Sequence, residues 1–268
     1  MTLEEDIAAA ERTEAARHLI DQAQDHMVEL VIVSAVDLCV LGGPKHPLFE
    51  ESVARAWSRL GNRGRKDFIE RATEVMVKRG LLIDTSPRTG SGQLSGTYSL
   101  KPELGLMLAA RCRPSFIVVT EAEGQNLRAL RLFALGDQAE PVRGLVAEVP
   151  TGLPPDKDPD SPFVRKLGPL GRVYRYALLS RDTAAELLAK WTISPPRRSG
   201  EVPSCAYLVS VYHPDRQNPA GYRLRVRSDG MRALLDSPGI GDGDLAAAEY
   251  DVEGLRAVML DLITRPSR

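Results

Sequence analysis

The sequence predicts an α+β protein, in which an N-terminal helical part is followed by a mainly antiparallel α/β part. Near Pro114 the spacing of apolar residues changes: before it they recur as on helix faces, and after it they mostly alternate as in strands. After Pro114, an order of several strands and then one helix occurs twice. We therefore predict two domains, at residues 1–113 and 114–268, and divide the second into quasi-repeated units at 114–193 and 203–268.

The N-terminal part contains apolar segments with the spacing of helices. Residues 28–41 are apolar on nearly every side and predict the most buried helix of this part. A second helix is predicted from Phe49 to Gly61. A third, at residues 66–79, is followed by Gly80, the residue type that suits a left-handed helix cap.

From Phe49 to Leu100 the predicted order is helix–turn–helix, strand, hairpin tip, strand, which is the order of a winged helix. The strands are predicted at residues 81–83 and 97–100, and the Gly- and Ser-rich residues 87–96 form the tip between them. In DNA-binding winged helices the second helix of the helix–turn–helix, here the one predicted at residues 66–79, and the tip meet the major groove and the phosphates. The N-terminal part is therefore predicted to be winged-helix-like.

This winged-helix-like region is basic. Between Ser52 and Lys101 there are ten Lys and Arg residues against four Asp and Glu, a local charge of +6 in a chain whose total is −1. The residues predicted to contact DNA are Arg63, Arg65, Lys66, Arg71, Lys78, Arg79 and Arg88. Two alternatives stay open: a solvated helix face paired with Glu70 and Glu74 at helical spacing, or a module that contacts another protein.

The C-terminal part is predicted to be two runs of short strands, each closed by a helix. The first run has strands at residues 116–119, 127–135, 142–149 and 173–179, before a helix capped by Ser180. The second run has strands at residues 206–212, 222–226, 231–235 and 246–250, before a helix at 251–263.

Two kinds of surface segment are predicted in this part. Arg223, Arg225 and Arg227 alternate with apolar residues, which indicates a half-exposed strand. Residues 151–163, rich in Pro and Asp, are predicted to be a mobile loop, and residues 194–203 a linker.

No group of residues predicts catalysis or metal binding. The cysteines are widely spaced and form no Cys-x-x-Cys pair: Cys39, Cys112 and Cys205. His18 and His26 are eight residues apart, too far for the i, i+4 spacing of metal ligands on a helix. The Gly-rich residues 239–244 lack the Lys-Ser/Thr ending of a phosphate loop and are predicted to be a surface turn. We therefore predict a protein that is not an enzyme and has no catalytic residue, metal or cofactor.

The composition favours a cytoplasmic protein that does not cross a membrane. Three sparse cysteines fit a reducing compartment, and the acidic, amphipathic N-terminus is not a secretory signal. The longest apolar run, at residues 28–41, is too short to span a bilayer and carries Glu29 and Asp37. The sequence leaves the oligomeric state open, a homodimer included.

A further pattern begins with Gly-Leu-Leu at Gly80. After a short gap it continues as Leu-x-Pro-Glu-Leu-x-x-x-Leu from Leu100 to Leu108, then Arg113-Pro114 and a strand. This order resembles the EspG family, the actinobacterial cytoplasmic chaperones of type VII secretion, over roughly residues 49–263. The resemblance implies two quasi-repeated α/β halves and a non-enzymatic protein that grips a helical substrate pair through its sheet and loops. It assigns no binding residue in this chain.

These observations lead to two main hypotheses. The first is a cytoplasmic chaperone or adaptor that holds a protein partner through its α/β half. The second is a transcriptional regulator, whose winged helix binds DNA and whose α/β half senses a ligand or dimerises. An enzyme without a sequence signature is the third hypothesis, and convergent carboxylates or histidines in a deep pocket would indicate it.

Overall fold

The computed structural model describes residues 3–42, 50–85, 98–122, 125–136, 143–151, 168–193, 206–213, 220–228, 232–236 and 248–264. Over these residues the chain forms seven α-helices, a nine-stranded sheet that is mostly antiparallel, and a separate two-stranded sheet. The predicted α+β class is therefore confirmed.

Five of the described helices and three strands precede Ile117, and the remaining eight strands and two helices begin at or after it. The helices are α1 (Leu3–Asp25), α2 (Ala35–Gly42), α3 (Glu51–Arg59), α4 (Asn62–Lys78), α5 (Pro102–Cys112), α6 (Arg181–Ile193) and α7 (Val252–Thr264), with a 3₁₀ turn at Gly168–Gly171. The strands are β1 (Val28–Ser34), β2 (Leu82–Asp84), β3 (Tyr98–Leu100), β4 (Ile117–Ala122), β5 (Gln125–Leu135), β6 (Gly144–Thr151), β7 (Val173–Leu179), β8 (Ala206–Tyr212), β9 (Ala220–Ser228), β10 (Ala233–Asp236) and β11 (Ala248–Tyr250).

The helix predicted at residues 28–41 is wrong in its first half, which is strand β1. Its sequence, VELVIVS, is rich in β-branched residues, which prefer strands because their χ1 rotamers are restricted in a helix. Helix α2 begins directly after it through a reciprocal cap: Asp37 N–H donates to Ser34 Oγ (3.2 Å), and Ser34 N–H donates to Asp37 Oδ2 (2.8 Å). The N-terminal part is therefore not helical throughout, because it contributes a strand to the large sheet.

The large sheet contains the two predicted strand–helix units. Its strand order is β1-β7-β6-β5-β4-β8-β9-β10-β11. One unit is the run β4 to β7 followed by α6, and the other is the run β8 to β11 followed by α7. Their first strands, β4 and β8, lie side by side and antiparallel, with Ile117 opposite Tyr212 and Ala122 opposite Tyr207. The other strands of each unit extend outward from this central pair.

The main core lies between one face of this sheet and the helices α6 and α7. Apolar residues at alternate positions of the strands point to it, as expected for a sheet with one face covered by helices. The fully or nearly fully buried members from sheet and helices include Val118, Leu132, Val209, Val226, Leu188 and Met259. Helix α6 begins as predicted at Ser180, whose Oγ accepts a hydrogen bond from Thr183 N–H (3.2 Å).

The chain divides into two compact units, each made of separate stretches of sequence. The first comprises Met1–His18, Leu30–Cys112 and Pro150–Tyr176; the second comprises Leu19–Glu29, Arg113–Val149 and Ala177–Arg268. One crossing point, between Cys112 and Arg113, adjoins the predicted boundary between residues 113 and 114, and the chain also crosses at four other points. The folding of residues 1–113 as a domain of their own stays a prediction.

In the first unit, Glu50 fixes the start of α3. Its carboxylate accepts a hydrogen bond from the Tyr174 hydroxyl (3.0 Å) and forms an ion pair with Arg172. Arg172 also donates to Ser52 Oγ (3.3 Å), and its backbone carbonyl accepts the N–H of Ala35 (2.8 Å). The starts of α2 and α3 are thereby held next to the start of β7.

The core predicts a large effect for a truncation on α7. Replacing the fully buried Met259 by Ala should lower the free energy of unfolding by about 2–5 kcal/mol, because it leaves a cavity against the sheet. The neighbouring half-buried Val258 is the matched control, and Val258→Ala should cost clearly less. Equilibrium unfolding in urea measures both; equal losses would contradict this assignment of the core.

Candidate functional site

The strands β8 to β11 present two different faces. One face carries buried core residues such as Val209 and Val226. The opposite face carries charged residues and leucines that are exposed or half-buried. We call this surface, together with the adjoining Glu121 at the end of β4, the open face. The residues that define it are Glu121, Leu208, Arg225, Arg227, Leu234 and Glu249.

The strand register brings the residues of the open face into two rows. In one row Glu121 on β4 lies opposite Leu208 on β8, which lies opposite Arg225 on β9. In the other, Leu234 on β10 lies between Arg227 on β9 and Glu249 on β11. Residues directly opposite each other on neighbouring strands share one face, so the two leucines lie among charged side chains.

Exposure along these rows is uneven. Glu121, Arg227 and Glu249 are exposed, and Leu208, Arg225 and Leu234 are half-buried. Among the charged residues at the β11 side, Arg232 Nη1 donates to Glu249 Oε2 at 3.2 Å, an exposed pair of small energetic weight. The open face is thus amphipathic, with apolar area surrounded by charge.

The same side of the sheet becomes buried toward β4, β5 and β6. Phe133 on β5 is fully buried between Ile117 on β4 and Val146 on β6. Arg131 and Glu148, also opposite each other, form an ion pair whose side chains are 11% and 0% exposed. Removing one partner of such a pair leaves an uncompensated buried charge, which is strongly destabilising. The open face therefore ends at a buried region of the sheet.

The predicted basic residues of α4 divide into two groups. The exposed ones are Arg63, Lys66, Arg71 and Lys78. Arg65 is instead half-buried and turns toward the end of α3, where its guanidinium donates to the carbonyls of Trp57 (3.3 Å) and Ser58 (2.9 Å). Arg65 therefore contributes to the C-terminal cap of α3, where the Trp57 carbonyl also accepts the N–H of Leu60 (3.2 Å). Arg88 lies outside the described residues.

The outward side of α4 carries acids among its bases. Asp67, Glu70 and Glu74 are exposed and share, by helical spacing, the same side as the four exposed basic residues. Lys66 Nζ lies 3.8 Å from Glu70 Oε1, one turn away. Four bases against three acids leave this side with little net charge, in contrast to the +6 of the whole region. This limits the attraction that the helix can exert on phosphates.

The structure describes the two strands of the hairpin of the winged-helix-like region. Strands β2 and β3 pair antiparallel, with Leu82 opposite Leu100 and Asp84 opposite Tyr98. The predicted tip at residues 87–96 lies outside the described residues, as do the Gly-rich residues 239–244, the loop at 152–163 and the linker at 194–203.

The cysteine and histidine side chains and the possible metal ligands of the described residues can be placed individually. Over these residues no group of three or more His, Cys, Asp or Glu side chains could hold a metal ion. Cys39 is buried, and desolvation raises the pKa of its thiol to about 12, so at neutral pH it carries no nucleophilic thiolate. His213 is buried too, its ring tilted against Phe116 with centroids 6.3 Å apart.

The open face was only partly visible in the sequence. The alternation of Arg225 and Arg227 predicted a half-exposed strand, and β9 confirms it for these two residues. Glu121, Leu208 and Leu234 gave no such signal. They join the open face through the strand register, and register depends on pairings between distant segments.

Comparison with protein-family models found no match to this chain, and comparison with curated proteins found no similar sequence. Within the described residues, every helix is too short or too polar to cross a bilayer.

The two described cysteines should differ sharply in reactivity. In a Cys205→Ser background, a thiol reagent should modify the exposed Cys112 rapidly and Cys39 only as fast as the protein unfolds. Burial also raises the pKa of Cys39 from 9.0 in the unfolded chain to about 12 in the folded protein. Between these pH values only the unfolded chain loses the proton, so the free energy of unfolding should fall progressively as the pH rises from 9 to about 12.

Labelling followed by mass spectrometry measures the two rates, and a Cys112→Ser, Cys205→Ser variant isolates Cys39. Rapid labelling of Cys39 in the folded protein at pH 8 would contradict its burial.

Proposed function

We propose that this chain is a non-enzymatic cytoplasmic binding protein, a chaperone or adaptor, that holds a protein partner on the open face. The observation that carries the proposal is the contrast between the two faces of β8 to β11: one is packed into the core and the other presents Leu208 and Leu234 among charged residues. Apolar area with a polar surround is the usual composition of a protein-binding surface.

The dimensions of the open face favour a helix as the bound segment. Neighbouring strands lie about 4.8 Å apart, so β8 to β11 span about 14 Å, and a helix with its side chains is about 10 Å wide. The resemblance to the EspG family also implies a helical substrate. A helix with an apolar stripe would cover the two leucines, and acidic residues beside that stripe would meet Arg225 and Arg227.

The surface also favours binding over catalysis. The charged groups of the open face are guanidinium groups and carboxylates on separate strands, without a His or Cys among the residues that define it. Its arginines donate hydrogen bonds and form ion pairs, but they supply no nucleophile or base at neutral pH.

The open face can be tested by cross-linking in the native host. A photo-reactive amino acid at Leu234 should give a discrete heterocomplex, whereas the same amino acid at the exposed Glu253 on α7 should give none. An Arg227→Glu, Leu234→Asp variant should bind the cross-linked partner at least about tenfold more weakly, because it reverses a charge and removes apolar contact.

Lys190→Glu on the exposed side of α6 is the matched control and should leave partner affinity unchanged. Calorimetry with the purified partner gives the affinities. Equal cross-linking at residues 234 and 253, or equal weakening by the variant and its control, would refute the proposed surface.

The second candidate function is DNA binding by the winged-helix-like region, favoured by the exposure of Arg63, Lys66, Arg71 and Lys78. For this function, the full chain should retain a random-sequence duplex in about 50 mM salt and release it steeply as salt rises. Lys66→Glu, Arg71→Glu should abolish retention.

Arg55→Glu on α3 is the control for charge alone, since Arg55 is exposed and its partner is Glu51. Arg65 is unsuitable as a test residue because it caps α3. Absence of retention by the unmodified chain at low salt, or equal losses in the variant and the control, would rule this function out.

A further inference from the structure

Strand β1 forms one end of the nine-stranded sheet, and its outer edge is the longer of the two edges. It has seven residues, against three in β11 at the opposite end. In the described part of the chain no strand pairs with its outer side. An edge strand of this length is a template on which another chain can add a strand.

The composition of β1 favours pairing of this edge with other molecules. Its sequence, VELVIVS, has one charged residue, no proline and no glycine. Such short segments with high β propensity and low charge pair readily with identical segments from other molecules. Because two copies of one strand can pair antiparallel about a two-fold axis, the natural occupant of this edge is β1 of a second copy of this chain.

Two side chains occupy part of the edge. The guanidinium of Arg79 donates from Nη2 to the carbonyl of Ile32, and the carboxylate of Asp37 accepts the N–H of Ser34 at 2.8 Å. Residues two apart in a strand direct their backbone groups to the same side, so these are consecutive hydrogen-bonding positions of one edge. Arg79 Nη1 and Asp37 Oδ2 are 3.9 Å apart and bridge them.

Local structure positions the backbone of Arg79 and the side chain of Asp37. Arg79 is the last residue of the turn that ends α4, with its N–H bonded to Val75 O. Gly80 follows in the left-handed region (φ +66°), and Leu81 N–H returns to Met76 O (2.9 Å), which closes the helix end. Asp37 is 5% exposed and is bound to Ser34 in the cap of α2.

We propose that Arg79 and Asp37 form a side-chain cap over the outer edge of β1, and that this cap prevents a second copy of the chain from adding its own β1 to the sheet. The cap removes one acceptor and one donor that the incoming strand would need, and it places a charged pair where that strand would lie. Arg79 acts here as a gatekeeper of self-association and not as a member of the basic surface of α4.

Removal of the guanidinium tests the cap in the full chain. Arg79→Ala should self-associate at least about tenfold more tightly than the unmodified chain, because the freed edge regains backbone hydrogen bonds between copies. Sedimentation over a range of concentrations measures the association constant, and circular dichroism verifies that the variant is folded. If Arg79→Ala does not fold, Arg79→Met, which keeps the aliphatic stem, carries the same expectation.

Two further variants separate the cap from a general loss of charge. Lys78→Ala removes the neighbouring exposed charge and should leave association unchanged. Adding Ile32→Pro to Arg79→Ala should abolish the gain, since proline removes the outward N–H of an edge strand and cannot pair there. A folded Arg79 variant with the association constant of the unmodified chain, or a gain that survives Ile32→Pro, would overturn the proposal.

Discussion

The antiparallel pairing of β4 with β8 is the interaction on which the rest of the fold depends. These are the first strands of the two strand–helix units, and their register, with Ile117 opposite Tyr212, aligns every strand that follows on either side. It also places α6 and α7 on the same face of the sheet, where they share one core. A shift of one residue in this register would turn the apolar side of one unit toward solvent, so the pairing is strongly constrained.

The opposite face of the sheet differs in burial between the two strand–helix units. Along β5 and β6 it is buried and carries the ion pair of Arg131 and Glu148. Along β8 to β11 it is amphipathic and partly exposed. A buried ion pair contributes little net stability, but the removal of one partner is costly because it leaves an uncompensated buried charge. The open face is therefore continuous with a buried part of the same sheet.

Regular patterns made much of this fold predictable from the sequence. Strands β7 and β8 begin and end where the apolar pattern placed them, and Ser180 and Gly80 mark helix ends as their residue types indicate. The pattern misled at Val28–Ser34, because an apolar run of that length fits a buried helix and a strand equally well. The basic residues were visible, but the roles of Arg65 and Arg79 were not. Each binds backbone carbonyls supplied by another element, and such partners are fixed only by tertiary structure.

The central pairing has a consequence for how such a chain could arise. In either strand–helix unit standing alone, the first strand would be an edge strand with unpaired backbone groups. In this chain those groups pair with the first strand of the other unit, in antiparallel orientation. Two identical ancestors joined in this manner would have formed a symmetric dimer about a two-fold axis. Gene duplication and fusion would convert that dimer into a single polypeptide and leave each copy free to diverge. The two units differ on the face opposite α6 and α7, which is buried along β5 and β6 and open along β8 to β11. Such a difference is the form that divergence would take.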